Sequence, residues 1–216
     1  MNANDDKTGK PASASDAMIR GSLGFALVSV IGFALWAFAG KWFYKNVGEA
    51  GLYFASAVLF VGSSGLLLHP LVQGSNSLAR FYKIFMPAFL AYALVWCLAW
   101  FALRFGAGEW LGSLLGSLVF TALIGFGLRN LRGFLKVVCA MFALHSAGYF
   151  LGGKLMYWLV SPEGKQLLPA LSKAQVSVVA KLSWGVLYGL GFGGGLGYAF
   201  WVFQRPNQAS SAQLGT

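Results

Sequence analysis

Two histidines are the side chains of this sequence best suited to acid–base or ligand chemistry near neutral pH. The 216 residues contain two histidines, His69 and His145, and a histidine pair in a helical bundle can bind haem iron. Both lie in predicted membrane helices, where their depths differ by roughly 15 Å at about 1.5 Å per residue. One iron cannot bridge that separation, so no haem is expected. His145, alone inside an apolar segment, stays a candidate site residue.

A serine pattern adds a second candidate chemistry. The segment Gly62-Ser63-Ser64-Gly65, together with His145, Gly148 and Gly152, resembles the G-x-S-G and H-x-x-G-x-x-x-G motifs of rhomboid intramembrane proteases. The resemblance covers these two short motifs and implies that Ser64 is a nucleophile activated by His145. The motifs lie three spans apart in chain order, on the second and fifth spans, whereas a step of two is usual in the family, so the two helices run in opposite directions. No set of donors for an oxyanion accompanies the motifs. An intramembrane protease is therefore kept as an alternative only.

The remaining chemistry-bearing residues form no constellation. Cys97 and Cys139 both fall inside apolar stretches, without the spacing of a disulfide framework or a metal site. No P-loop and no dinucleotide fingerprint is present. We therefore predict a non-enzymatic protein with no catalytic residue, no metal site and no cofactor.

Small polar side chains within the apolar segments are candidates for lining a passage. No Asp or Glu lies inside a predicted span, and ion-coupled pumps normally need such a carboxylate. A passive channel or facilitator for a small solute remains as an alternative function. Its lining would come from Ser63, Ser64, Thr121, His145, Ser146 and Ser183.

A row of glycines marks the last apolar segment. Gly185, Gly189, Gly193 and Gly197 recur every four residues, which places them on one helix face where another backbone can approach closely. We predict that this face packs against a helix of the same chain or of a second copy. The alternative is that the glycines break the helix, because each costs about 1 kcal/mol relative to alanine. A broken helix near the membrane centre would favour a transport site.

An aromatic row lies on the third apolar segment. Phe89, Tyr92, Trp96 and Trp100 are spaced by three or four residues and share one helix face. Such a row can stack on a ligand, pack against a helix of small residues or face lipid. We favour packing or lipid contact over a ligand.

The elements that position these residues are predicted to be membrane helices. Apolar residues make up 57% of the chain and charged residues 10%, against about 45 to 50% and about 25% in soluble domains. Runs of about 20 apolar residues cross the bilayer as helices, because lipid leaves no partner for unpaired backbone groups. We predict an all-α bundle of about six transmembrane helices. They cover residues 21–40, 50–69, 84–104, 110–128, 134–153 and 182–203, within one domain over 21–203.

Polar stretches flank these spans. Residues 1–20 are predicted to be a disordered cytoplasmic tail and residues 204–216 a C-terminal tail. Between the fifth and sixth spans, Ser161-Pro162-Glu163 has the order of a helix start, and apolar residues then recur at helical spacing. We predict an amphipathic segment over 162–180 at the outer interface, with Pro169 as the place where the helix can break and with its end running into the sixth span. A solvated loop is the alternative.

The charge distribution predicts the orientation. The net charge is +10, from 16 basic and 6 acidic residues, and the basic residues bracket the spans. We therefore expect a bilayer with anionic lipids as the partner and no nucleic acid. Under the positive-inside rule both termini are cytoplasmic, in a bacterial-type plasma (inner) membrane. The arginines on that side are Arg20, Arg80, Arg129, Arg132 and Arg205, against Arg104 on the other.

Short echoes relate the two halves of the chain. The sequence of residues 31–35 is similar to that of residues 124–128. Each half would contain three spans, so the two halves would have opposite orientations in the membrane, as in many small transporters.

The favoured function is nevertheless a helix-packing subunit, assembly factor or scaffold, bound to a membrane protein or to its own copies. The alternative is a passive channel with inverted three-helix repeats.

Overall fold

The computed structural model describes residues 13–205, and the regular elements in that range are all helical. Six helices are long and apolar enough to cross a membrane. The chain is therefore an all-α, multi-pass membrane protein, and the predicted fold class is confirmed. The helices are α1 (Ala14–Ala34), α2 (Gly40–Asn46), α3 (Glu49–Leu68), α4 (Ser77–Leu103), α5 (Phe105–Gly127), α6 (Phe134–Val160), α7 (Pro162–Gln166) and α8 (Lys173–Phe203).

The spanning helices form a closed ring in chain order. A π-helical turn over Leu35–Ala39 joins α1 and α2 into the first span. Around the bundle, α1 packs on α3, α3 on α4, α4 on α5, α5 on α6 and α6 on α8, and α8 closes the ring on α1. Each helix is therefore antiparallel to its neighbours. We call the end of the bundle that carries residues 72–76, 128–133 and the end of α8 the terminal face, and the opposite end the distal face.

The first helix begins earlier than predicted. Ser13 and Asp16 form a reciprocal cap, in which each side chain accepts the backbone N–H of the other residue at 3.1 Å. The helix then starts at Ala14, and Ala17 is fully buried. Residues 14–20 of the predicted disordered tail are therefore part of α1, and Ser13 caps it. Residues 1–12 and 206–216, the rest of the two predicted tails, lie outside the described residues.

The segment between the last two spans is divided rather than one amphipathic helix. The fifth span continues to Val160, and α7 is a short helix capped by Ser161, whose Oγ accepts the N–H of Gly164 at 3.3 Å. A second reciprocal cap, Ser172 with Gln175, starts α8 at Lys173. The helical structure over 162–180 is thus interrupted between Gln166 and Lys173, around Pro169, and its second half is the first part of the sixth span.

Aromatic rings fill the centre of the bundle. Phe25 stacks on Phe192 with ring centroids 4.5 Å apart and lies 5.8 Å from Phe60. Phe120 lies 5.0 Å from Phe192 and 6.1 Å from Phe85. These five buried rings come from five different spans. Contacts of this kind are worth about 0.5 to 1.5 kcal/mol each beyond the burial of area, so the rings tie the spans together at the axis.

Candidate functional site

The glycine row of α8 faces α1 of the same chain. A methyl group at Gly193 would overlap the carbonyl oxygen of Gly21, and one at Gly197 would overlap that of Ala17. At Gly189 it would lie 2.5 Å from the Cα of Ala26. A methyl group at Gly185, the fourth member, would lie 3.0 Å from the side chain of Phe33 on α1. At the other three positions the backbones of α1 and α8 are so close that only glycine fits on the α8 side.

The opposite side of α8 makes an equally close contact with α6. The backbones of Gly148 and Gly191 face each other, and a methyl group at Gly191 would lie 3.1 Å from the Cα of Gly148. Gly195 packs on Met141, and Gly152 packs on Trp184. The helix itself is continuous from Lys173 to Phe203. These glycines therefore let α8 lie between α1 and α6, without breaking the sixth span.

The six polar side chains considered as a channel lining are dispersed. Ser63 and Ser64 each donate to a carbonyl oxygen one turn earlier in their own helix. Thr121 and Ser146 are buried, with no partner for the hydroxyl among the described residues. Ser183 is half-buried. None of the six lines either of the two cavities described below.

His145 belongs to a buried polar cluster of three rings. Its Nε2 lies 2.7 Å from the hydroxyl of Tyr92, which in turn lies 3.3 Å from the hydroxyl of Tyr188. The three residues come from α6, α4 and α8, and aromatic rings such as Phe192 surround them. Nδ1 of His145 has no partner among the described residues. The cluster therefore satisfies one of the two ring nitrogens of this buried histidine.

The Ser–His pairing implied by the rhomboid-like motifs does not form. The hydroxyl of Ser64 bonds to the carbonyl oxygen of Phe60, whereas Nε2 of His145 bonds to Tyr92. A dyad needs the serine within hydrogen-bond reach of the base. The arrangement of the described residues therefore does not provide the pair that this chemistry requires.

The aromatic row of α4 has two neighbours. On one side it packs against glycines of α5, where methyl groups would lie 3.0 Å from Trp96 at Gly112 and 2.8 Å from Tyr92 at Gly116. This is the contact with small residues that we favoured from the spacing. Near the distal face, Trp96 and Trp100 stack with centroids 5.8 Å apart.

On its other side the row lines a groove between α3 and α4. The two helices touch near the terminal face, where the hydroxyl of Tyr82 donates to the carbonyl oxygen of Gly62 at 2.6 Å. Toward the distal face a cavity of about 160 Å³ lies between them. An engineered apolar cavity of about 150 Å³ holds a benzene molecule, so the groove has room for one ring-sized apolar group. Its lining on α3 and α4 includes Ser56, Ala57, Phe60, Tyr92, Ala93 and Trp96. The cavity also reaches the bundle interior, where it is lined by Phe33 of α1, Tyr149 of α6 and Tyr188 of α8.

Two participants in this region were missed from the sequence. Tyr188 is separated from Tyr92 by 96 residues, and nothing in the spacing of the chain relates them. Glu109 lies inside α5 rather than outside the spans, because that helix begins at Phe105. Its carboxylate accepts a hydrogen bond of 3.0 Å from the hydroxyl of Tyr149. The prediction that every span lacks an acid is thereby corrected. Asp16 of α1 and Glu49 of α3 also lie within spanning helices, and all three acids are near the first turn of their helix.

The His, Cys, Asp and Glu side chains were compared with the arrangement that a metal ion needs. Within residues 13–205 no group of three or more His, Cys, Asp or Glu side chains could hold a metal ion. Cys97 and Cys139 are both free thiols. Comparison with models of known protein families, with curated proteins and with solved structures finds no match.

Proposed function

We propose that this protein is a non-enzymatic scaffold subunit that packs against a transmembrane helix of a partner membrane protein. The observation that carries the proposal is the filled centre of the bundle, where rings from five spans interlock. A solute passage along the axis would require several of these rings to move together, and packed interiors resist such displacement. The dispersed positions of the polar side chains argue in the same direction.

The groove between α3 and α4 is the surface that we assign to the partner. Part of its lining on α3 and α4 consists of small, partly exposed side chains, and such side chains allow another helix to come close. They are Ser56, Ala57 and Ala93. One aromatic or branched side chain of the partner would occupy the ring-sized cavity. A whole helix, with a diameter of about 10 Å, would remain outside it and lie along α3 and α4.

The membrane and orientation form part of the proposal. The arginines at the terminal face exceed those at the distal face, and anionic lipids and the insertion machinery favour basic residues on the cytoplasmic side. We therefore place the protein in a bacterial-type plasma membrane with both termini cytoplasmic.

Reconstitution separates a scaffold from a channel. Vesicles containing the full chain are compared with protein-free vesicles for entry of glycerol and urea by stopped-flow light scattering. A pore-forming peptide added to the same vesicles shows that the assay responds. The scaffold proposal requires equal entry rates with and without the protein. Faster entry that depends on the amount of protein would overturn it in favour of the facilitator.

Site-specific crosslinking tests the partner surface. Val58 and Leu94 directly follow groove residues and are 56% and 60% exposed, and Leu151 on α6 is a matched control at 58%. Benzoylphenylalanine at positions 58 and 94 should give one adduct with a defined protein in native membranes, and position 151 should give none. Equal adducts from all three positions, adducts with lipid alone or adducts of two copies of the chain would each overturn the assignment of the groove to a partner protein.

A further inference from the structure

A second cavity lies at the terminal face, far from the groove between α3 and α4. Its volume is about 400 Å³, within the range of about 300 to 1,000 Å³ typical of ligand sites. Three separate parts of the chain form it, namely the α3–α4 connection with the start of α4, the α5–α6 connection and the end of α8. Its polar lining consists of Gln73, Arg80, Arg129, Asn130, Gln204 and Arg205.

Two side-chain amides hold the three parts together. The Oε1 atom of Gln204 accepts the N–H of Gln73 at 2.8 Å, and its Nε2 donates to the carbonyl oxygen of Leu71 at 2.8 Å. The Nδ2 atom of Asn130 donates to the carbonyl oxygen of Phe203 at 3.0 Å. These bonds link backbone segments that are more than 70 residues apart in the chain. The cavity therefore has a fixed, hydrogen-bonded wall.

Three arginines, one from each part, give the cavity its charge. Arg80 donates one bond of 2.9 Å to the carbonyl oxygen of Gln73, which orients its guanidinium. The guanidinium of Arg205 lies over the indole of Trp201 at 3.5 Å. Among residues 13–205, those that line the cavity include no Asp or Glu. Three arginines of this range thus share one cavity with no carboxylate of the same range in its lining, and arginines in this arrangement favour phosphate, which they bind through paired N–H donors.

The backbone conformation of Arg129 also indicates that its side chain has a role in this cavity. This residue follows α5 with φ of +55°, a left-handed conformation that glycine adopts most easily at a helix end. An arginine costs more there than a glycine would. Arg129 nevertheless occupies this position, and it lines the cavity together with Arg80 and Arg205.

The depth of the cavity points to a lipid. Tryptophans near span ends lie at the level of the lipid headgroups, and Trp201 is one helical turn from Arg205. Basic pockets between membrane helices at this level bind phosphorylated headgroups. We propose that this cavity binds the phosphate of an anionic lipid headgroup through Arg80, Arg129 and Arg205. The assignment does not depend on the scaffold role.

Lipid titration of the full chain in nanodiscs of phosphatidylcholine tests the site. Phosphatidic acid is added and retained lipid is measured by native mass spectrometry, with inorganic phosphate as a separate arm. The R129Q/R205Q variant should bind phosphatidic acid at least about tenfold more weakly, because it loses two guanidinium groups that form charge-assisted hydrogen bonds to the phosphate. The K83Q/K136Q variant is the control. It removes two exposed positive charges, on α4 and α6 near the terminal face, and neither lysine lines the cavity. This variant should bind phosphatidic acid like the wild type.

Each result decides the proposal. An equal loss in both double variants would show diffuse attraction to the membrane and overturn the site. Binding of millimolar inorganic phosphate, with lipid retention unaffected by R129Q/R205Q, would overturn the lipid source. If R129Q/R205Q fails to fold, Arg129→Gly replaces it, since glycine suits that conformation. Lipid affinity unchanged in a folded Arg129→Gly protein would also overturn the proposal.

Discussion

The hydroxyl of Tyr92 lies 2.7 Å from Nε2 of His145 and 3.3 Å from the hydroxyl of Tyr188. Tyr92 is therefore the residue that gives the buried histidine its polar partner, and it joins α4, α6 and α8 inside an aromatic interior. The bond to Tyr188 is longer and adds less.

Replacing Tyr92 by Phe should destabilise the protein by about 1 to 3 kcal/mol, because Nε2 of His145 is left buried without a partner. Tyr188→Phe is the matched control, since it removes the same atom but only the longer bond. Its cost should be about 0.5 to 1.5 kcal/mol. Unfolding in mixed micelles gives both free energies. A larger loss for Tyr188→Phe than for Tyr92→Phe would contradict this account of the cluster.

A single methyl group should distinguish the glycines that hold α8 against α1 from an ordinary glycine. Gly193→Ala should cost about 1 to 3 kcal/mol or prevent folding, because the methyl group meets the backbone of Gly21. Gly62→Ala makes the same change in α3 where nothing lies within 4 Å of the added atom. This control should be neutral or stabilising by up to about 1 kcal/mol. Detergent gel filtration and thermal unfolding measure the two, and equal behaviour would refute close packing at Gly193.

The spans were predictable from the sequence, because each crossing needs about 20 apolar residues whatever its neighbours are. Their neighbours were not predictable: spacing shows that Gly189 and Gly193 share a face, but not that α1 lies against it. The start of α1 was missed because Ser13 and Asp16 look like a polar tail unless their mutual bonds are known. The terminal-face cavity was missed for a related reason. Each of its arginines, taken alone, is an ordinary charge at the end of a span.

Arg129→Gly should separate stability from lipid binding. Glycine avoids the left-handed strain at this position, so the variant should be as stable as the wild type or more stable by about 0.5 to 1 kcal/mol. Its affinity for phosphatidic acid should fall nevertheless. Thermal unfolding in phosphatidylcholine nanodiscs, with and without phosphatidic acid, measures both effects. A variant that loses stability in phosphatidylcholine alone would contradict a ligand-related reason for arginine here.

The Ser161 hydroxyl should control the ionisation of Glu163 on the distal face. It donates to Oε2 of Glu163 at 2.7 Å, and this bond holds the pKa of the carboxyl below its ordinary value. Since the folded pKa is the lower one, the contribution to α7 is present above the ordinary carboxyl pKa and is lost as the pH falls through the folded value. Ser161→Ala should raise the pKa of Glu163, as followed by NMR titration. Ser172→Ala, which removes the cap of α8 instead, should leave it unchanged.

Labelling of single cysteines tests the orientation. In a background with Cys97 and Cys139 replaced by alanine, Gln166→Cys on the distal face should react with an impermeant maleimide in intact cells. Ser75→Cys on the terminal face should react only after the cells are permeabilised. Both positions are exposed, so access to the reagent depends on the side of the membrane. The reverse pattern would place the termini outside the cytoplasm.

The closure of the ring has a consequence for biosynthesis. The hydrogen bond from Ser22 of α1 to the carbonyl oxygen of Leu190 in α8 spans 168 residues. At about 5 to 20 residues per second, the ribosome needs roughly 10 to 30 s to produce the second partner after the first. During that time α1 lies in the membrane without the surface that completes it, and α8 must then enter between α1 and α6. We therefore expect nascent chains shorter than about 190 residues to expose α1 to the insertion machinery and to membrane chaperones.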